Sequence, residues 1–194
     1  MCLPTGETRD NAMLLKILFA GSGGQGVLTT GNVLGNAAML EGFYVVYLPV
    51  YGAAMRGGTA NCTVSVSDEE IASPVASSPD VVVAMNQPSA HAFINRLDPG
   101  GQLIYNSNLV DSIPYRGDVD VFPVPVNDIA RELGSERAAN MVILGSFIKL
   151  TGVVSVEAVN RSMDLMFGQK KKLLESSKAA FLEGYGRFQY EKGK

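Results

Sequence analysis

The hydrophobic pattern opens with an unbroken apolar run, Met13 to Ala20, that ends at a glycine, as a strand buried on both faces does. From Gln25 the period changes: Val27, Leu28, Val33, Leu34, Ala37, Ala38 and Met39 recur at helical spacing until Gly42 stops them. A β-branched and aromatic run, "FYVVYLPV" (Phe43 to Val50), then completes a strand–helix–strand unit whose crossover is expected to be right-handed. Between the first strand and the helix stands "GSGGQG", with four glycines in positions 21–26.

Further on, "TANCTVSVS" alternates small or polar residues with Val64 and Val66, Asp68 to Glu70 supply turn residues, and "IASPV" is placed to return antiparallel. This predicts a hairpin added at one edge. "DVVVAM" (Asp80 to Met85) reads as another buried strand, "PSAHAFINRL" as a helix opened by Pro88, "DPGGQLIYN" as a turn into a strand, and "DVDVFPVPV" as a weaker last strand. From Val126 the chain is mainly helical. One helix is capped by Asn127 or Asp128 and stopped by Gly134, one runs from Ser135 to Gly152, one starts at Ser155, and a final amphipathic helix frays. The expected fold is α/β: a Rossmann-like open, mostly parallel sheet with an added antiparallel hairpin and a helical C-terminal part. With no repeat or long linker, residues 13–188 are expected to form a single domain between flexible ends 1–12 and 189–194.

Composition narrows the function. With 194 residues, 46% hydrophobic and 18% charged, the chain is long enough to bury a proper core. A net charge of -3 offers no basic field for nucleic acid or an anionic membrane surface. Cys2 and Cys62 form no CxxC and fit no iron–sulfur, zinc or disulfide pattern, and the polar opening lacks a secretory pattern, so a reduced, cytoplasmic protein is expected. The longest apolar stretch, Ala138 to Leu150, contains Asn140 and Lys149, is too short to span a bilayer, and reads as a buried helix.

Gly21, Gly23 and Gly26 satisfy G-x-G-x-x-G where backbone N–H groups and a helix N-terminus can meet an anion. A dinucleotide site also needs an acid at the end of the second strand, and none stands between Phe43 and Gly58; Arg56, a candidate for a 2'-phosphate, sits well past the strand end. Read as a P-loop, the stretch has Val27 in the place of the lysine. Two readings of the turn stay open: an anion site, or a tight turn for close helix-to-strand packing.

The second constellation is "YGAAMRGGTANC", Tyr51 to Cys62, a glycine-rich loop with Arg56 as its only charge. It follows a strand and so belongs on the same carboxyl rim as the first turn, which makes the two loops a candidate docking surface. Arg56 either holds a phosphate or carboxylate with its planar fork or forms a salt bridge to Asp68, Glu69, Glu70 or a partner chain's acid. No catalytic set is visible and no metal ligands cluster. His91, the only histidine, falls on a helix face where a surface or packing role is expected, and Asp10, Asp68, Glu69, Glu70 and Asp80 stand at turns or termini where acids are solvated. From the residues alone this is a binding or scaffold domain before it is an enzyme.

"GSGGQGV", "YGAAMRGGTANCTVSVSDEEIASP", "PDVVVAMNQPS" and "PGGQLIYNS", in that order, resemble the γ subunit of 2-oxoacid:ferredoxin (acceptor) oxidoreductases, over about Leu14 to Gly184. The block "YGxxxRGGxxxC" is the most specific of these. The resemblance implies a Rossmann-like γ subunit with partner α and β, and in some complexes δ, subunits that hold thiamine diphosphate, Mg2+ and the iron–sulfur clusters. Such a complex decarboxylates a 2-oxoacid oxidatively (2-oxoglutarate favoured over branched-chain 2-oxoacids and pyruvate), makes an acyl-CoA and passes electrons to ferredoxin. It implies no catalytic residue in this chain. Gly21, Ser22, Gly23, Gly24, Gln25 and Gly26, with Tyr51, Arg56, Gly57, Gly58 and Thr59, become the expected place for subunit docking or a coenzyme A phosphate. This sequence reads "YGAAMRGG" where relatives have "YGPEMRGG", so Ala53 and Ala54 lack a carboxylate that relatives place there. Two other readings stand beside it, a free-standing nucleotide-binding enzyme and a homo-oligomeric scaffold with no ligand; isolated from its partners, a γ-type chain is also expected to be able to form a homodimer through surfaces meant for α.

Overall fold

The computed structural model describes residues 13–51 (without the side chain of Tyr51), 59–72 and 78–190. Residues 1–12 and 191–194, and the candidate residues Arg56, Gly57 and Gly58, lie outside them. The first apolar run is strand β1 (Leu14–Ser22) and the helical period after it is α1 (Val27–Leu40). Then follow β2 (Tyr44–Tyr51), β3 (Thr59–Ser67), β4 (Val81–Ala84), helix α2 (Gln87–Phe93) and β5 (Gln102–Asn106). β6 (Asp120–Val124), α3 (Val126–Glu132), α4 (Ala139–Thr151), α5 (Val156–Phe167) and α6 (Lys171–Arg187) complete the described elements longer than one turn.

The strands form one sheet in the order β2-β3-β1-β4-β5-β6. β1, β4, β5 and β6 pair in parallel, while β3 is antiparallel to both β1 and β2. The expected mostly parallel α/β sheet is therefore present, with two corrections. The hairpin is β2–β3, not a pairing of β3 with residues 71–75: Ile71 and Ala72 are outside any strand, and residues 73–75 lie outside the described residues. Nor is β3 appended at an edge, because it is inserted between β2 and β1. The link from Tyr51 to Thr59 is too short for a crossover, so β3 must fold back antiparallel, and its small side chains let α1 lie directly over it. A Cβ added to Gly31 of α1 would stand 2.5 Å from Cys62 Sγ.

Helices cover the sheet unequally. On one face α1, α3, α4, α5 and α6 bury Ile17 and Phe19 of β1, Cys62, Val64 and Val66 of β3, and Val81 and Val83 of β4. On the other, α2 and the turn after it cover Leu18, Val82, Ala84 and Leu103. Helix α4 is the central element: Asn140 through Ile148 are all buried, as expected for the longest apolar stretch. It crosses α6 through glycines, since a Cβ on Gly184 would lie 1.9 Å from Val142 O and one on Gly145 2.1 Å from Phe181 O. Ser146 Oγ, fully buried, donates to Gly184 O at 3.1 Å in the same crossing.

Helix boundaries follow local chemistry where it is strong. Ser155 caps α5 by accepting from Ala158 N at 3.0 Å, Pro88 stands in the first turn of α2, and Gly152 ends α4 at φ 61°. The cap expected from Asn127 or Asp128 is not made: α3 begins one residue earlier, after Pro125. Its first amides are met instead by Asn108, whose Oδ1 accepts from Asn127 N at 2.9 Å and Asp128 N at 3.2 Å. Two acids expected to be solvated are partnered at the start of β1. Asp68 accepts from Met13 N at 2.8 Å, and Asp80 accepts from Lys16 N at 2.7 Å.

Candidate functional site

The glycine turn leaves β1 at Ser22 and enters α1 at Val27. Gly26, at φ 73°, is the N-cap in a left-handed conformation that glycine adopts without a Cβ penalty. Space imposes a second restriction, because a Cβ there would lie 2.6 Å from Asn140 Nδ2. Asn140 in turn donates to Gly26 O at 3.2 Å, so buried α4 holds the turn from beneath. No side chain among the described residues caps α1, and its first turn contains no acid. Among the described residues, the positive end of this 14-residue helix therefore has no side-chain partner.

Register brings the second loop to the same place. Ser22 of β1 stands opposite Thr59 of β3, and Ala60 stands opposite both Gly21 and Tyr51. Both candidate loops therefore leave the sheet at one rim, as their positions after strands required. A cavity of about 390 Å3 lies at this rim, lined by Ser22, Gly23, Gly24 and Gly26, by Val27, Leu28 and Thr29 of the first turn of α1, and by Ala60 of β3. Of the candidates, Gly21 is buried under the turn while Gly23 and Gly24 are exposed.

Helices α1 and α2 lie on opposite faces of the sheet, so the carboxyl ends of the adjacent parallel strands β1 and β4 mark the point where the winding reverses. In doubly wound sheets nucleotides enter the crevice at that point. Here side chains fill it. Asn86 Nδ2 donates to Ser22 Oγ and to Gln25 Oε1, each at 2.8 Å, Ser22 N donates to Gln25 Oε1 at 2.7 Å, and Gln25 Nε2 donates to Met85 O at 3.3 Å. The amide chain continues along the rim, where fully buried Asn106 donates from Nδ2 to Asn127 Oδ1 at 2.7 Å. Asn86, Asn106 and Asn108 were not among the sequence candidates. Asparagine just after an apolar strand is the signal that marks them.

His91 and Cys62 are placed by the fold away from this crevice. His91 is exposed on α2, with Nε2 3.0 Å from Ser112 O. Cys62 is fully buried beneath α1, and burial pushes its thiol up to about 12, which keeps it protonated and a poor nucleophile or metal ligand. Among the described residues no three His, Cys, Asp or Glu side chains group as a metal site, and no helix is long and apolar enough to cross a membrane. A second cavity, about 400 Å3 beside β6, has its arginine engaged: Arg187 bonds Glu132 at 2.5 Å and Glu183 at 2.6 Å.

The sheet order and its glycine rim define an α/β domain of the doubly wound class with an inserted antiparallel strand and a filled nucleotide crevice. The chain belongs to the pyruvate ferredoxin/flavodoxin oxidoreductase family, whose model matches residues 16–187. It is 39% identical over 163 residues to the ketoisovalerate oxidoreductase subunit VorA of Methanothermobacter thermautotrophicus, a match covering 83% of this chain and 34% of that subunit. It is similar to the crystal structure of a keto/oxoacid ferredoxin oxidoreductase γ subunit from Geobacter sulfurreducens, at 30% identity and a TM-score of 0.75 over 89% of this chain and 96% of that one. The 2-oxoglutarate:ferredoxin oxidoreductase of Magnetococcus marinus, with 2-oxoglutarate, coenzyme A and succinyl-CoA bound, matches at 27% identity and a TM-score of 0.82 over 89% of this chain and 30% of that one. The chain thus spans about a third of the length of the VorA subunit and nearly all of the γ subunit.

Proposed function

We propose that this chain is the γ subunit of a cytoplasmic, thiamine-diphosphate-dependent 2-oxoacid:ferredoxin oxidoreductase. The complex converts a 2-oxoacid, 2-oxoglutarate first, to its acyl-CoA with reduction of ferredoxin. The observation that carries this reading is the match to a γ subunit along almost the whole of both chains. Thiamine diphosphate, Mg2+ and the iron–sulfur clusters belong to α, β and, where present, δ partners; this chain's own described cysteine is a buried, protonated thiol unsuited to ligate a cluster. Its role is to build the carboxyl rim, where the glycine turn, the loop that contains Arg56 and the open N-terminus of α1 face a partner and the coenzyme A side of the assembly. The amide-filled crevice between β1 and β4 supports this over a free-standing dinucleotide enzyme, which would have to displace Gln25 and Asn86.

The test is co-expression of the tagged chain with the oxidoreductase subunits of its source. Recovery of activity dependent on 2-oxoacid and coenzyme A, absent from the isolated chain, is expected, and Arg56→Ala is expected to lower activity or assembly. A chain that recruits no such activity but binds NAD(P) or FAD tightly in a thermal-shift titration would overturn the reading. An Arg56→Ala complex with unchanged assembly, activity and coenzyme A KM removes the role given to that residue.

A further inference from the structure

We infer that the turn joining α5 to α6 is a docking surface for an acidic protein that binds and leaves, built from Lys170, Lys171 and Lys172 with Leu165 and Leu173 beside them. The inference stands on the chain's own charges and does not require the γ-subunit reading. The described lysines fall into two groups. Lys16 meets Asp80 and Asp98, Lys178 meets Asp164 at 2.7 Å, and Lys149 lies 4.9 Å from the ring centroid of Tyr185. Lys170, Lys171 and Lys172 are consecutive, exposed, and without an ion pair, side-chain hydrogen bond or ring contact among the described residues.

Three observations say what this turn meets. First, the lysines stand where a helix tolerates them least. Lys170 is the N-cap of the 17-residue α6, Lys171 and Lys172 open its first turn, no acid lies in that turn, and no side chain caps it. Cations there add to the positive pole of the backbone, whereas α5 starts by the usual rule, with Ser155 as its cap and Glu157 in its first turn. Positive charge gathered against local preference serves recognition rather than stability, and its complement is carboxylate. Second, the charge is local. The whole chain has a net charge of -3, so the surface outside this turn is acidic on balance; it repels an extended polyanion such as nucleic acid or an anionic bilayer and leaves one turn for a compact partner. Third, the cations border apolar side chains. Leu165, in the last turn of α5, is 73% exposed and Leu173, in the first turn of α6, 41%. Aliphatic surface rimmed by charge is what a protein partner covers, while a phosphate backbone gains nothing from it.

The same features make the contact a transient one. Lysine is depleted in the cores of permanent interfaces, and small charged patches belong to encounters steered by electrostatics. The two helices that carry the turn are tied down behind it. Lys178 Nζ donates to Asp164 Oδ1 at 2.7 Å and joins α6 to α5, and Ser162 Oγ donates to Val33 O at 2.9 Å and joins α5 to α1. The lysines thus project from a fixed base, and a partner does not have to order the backbone beneath them.

The test uses the full chain and, as the probe, a fluorescent peptide of about twelve residues that repeats Glu-Glu-Leu, followed by anisotropy. The wild type is expected to bind it at about 30 mM salt and to lose at least about tenfold in affinity at about 300 mM. Lys170→Glu with Lys171→Glu and Lys172→Glu is expected to bind at least about tenfold more weakly. The same variant is expected to unfold at or above the wild-type temperature, because carboxylates suit a helix N-terminus. Leu165→Ser with Leu173→Ser is expected to weaken binding about threefold at unchanged charge. The control, Arg96→Glu with Arg137→Glu and Lys149→Glu, makes the same change in net charge at exposed sites elsewhere and is expected to bind as the wild type does. No binding at low salt, undiminished binding by the lysine or the leucine variant, or equal weakening by the control overturns the proposal. Tighter binding of phosphatidylserine vesicles or of a single-stranded oligonucleotide than of the peptide also overturns it, by assigning the turn to another class of partner.

Discussion

Asn86 Nδ2 lies 2.8 Å from Gln25 Oε1, and through that contact the end of β4 holds the glycine turn that follows β1. The same side chain caps α2, accepting from Ser89 N at 3.0 Å through its Oδ1. One asparagine therefore ties together the two loops between which a nucleotide would enter.

Replacing Asn86 by alanine removes a helix cap and two side-chain bonds, so a loss of about 1–2 kcal/mol is expected in denaturant melts. Asn86→Asp keeps the acceptor for Ser89 but loses the donor to Gln25 and Ser22. It should preserve helix content while increasing hydrogen exchange at Ser22 N–H, and normal protection there would show that the bond is dispensable.

The crossing of α4 and α6 leaves no room for a methyl group at Gly184. Gly184→Ala is expected to cost roughly 3 kcal/mol or more, read as a lowered unfolding midpoint or loss of soluble protein. Gly186, two residues on in the same helix, has nothing within 4 Å of its Cβ position. Gly186→Ala is expected to be neutral or to stabilise by up to about 1 kcal/mol.

Cys62 gives a pH dependence of definite sign. Its thiol is raised to about 12 by burial, so the folded chain retains a proton that the unfolded chain releases above its ordinary value near 9.0. Stability is unaffected by this group below that value and falls as pH rises from there toward the folded value, by about 1.4 kcal/mol per pH unit. In a Cys2→Ser background the thiol should react with a maleimide only after unfolding. The alkaline slope should diminish in Cys62→Ala, and an unchanged slope would place its origin elsewhere.

Arg116 holds Asp118 by a charge-assisted bond that lowers the aspartate's pKa, while its Nη1 donates to Ile94 O and Leu97 O at 3.0 Å each. The pair's contribution is present above the ordinary aspartate pKa and is lost as pH falls through the lowered folded value. In an NMR titration Asp118 should titrate below the usual carboxylate range and return toward it in Arg116→Ala.

Elements whose identity depends on near neighbours were legible in the sequence. The run Met13 to Ala20, the helical period from Val27, the β-branched stretch at Val81 and the apolar stretch at Leu103 each specify their own conformation, and Ser155, Pro88 and Gly152 mark boundaries through contacts within a few residues. The shared rim of the two glycine loops was legible too, because both follow strands whose carboxyl ends must lie on one edge.

Tertiary structure alone decided the rest. Whether β3 sits beside β1 or outside β2 depends on which strands its small side chains and α1 can pack, a choice that local periodicity does not express. The cap of α3 comes from Asn108 across a loop, the glycines of α4 and α6 meet across 39 residues, and Gln25 is held by Asn86 across 61. Each is a pairing of distant residues whose energy appears only once the chain has folded back on itself. For that reason the sequence by itself determined the strands, the helices and the family to which they belong, while the filled crevice between β1 and β4 became visible only in three dimensions.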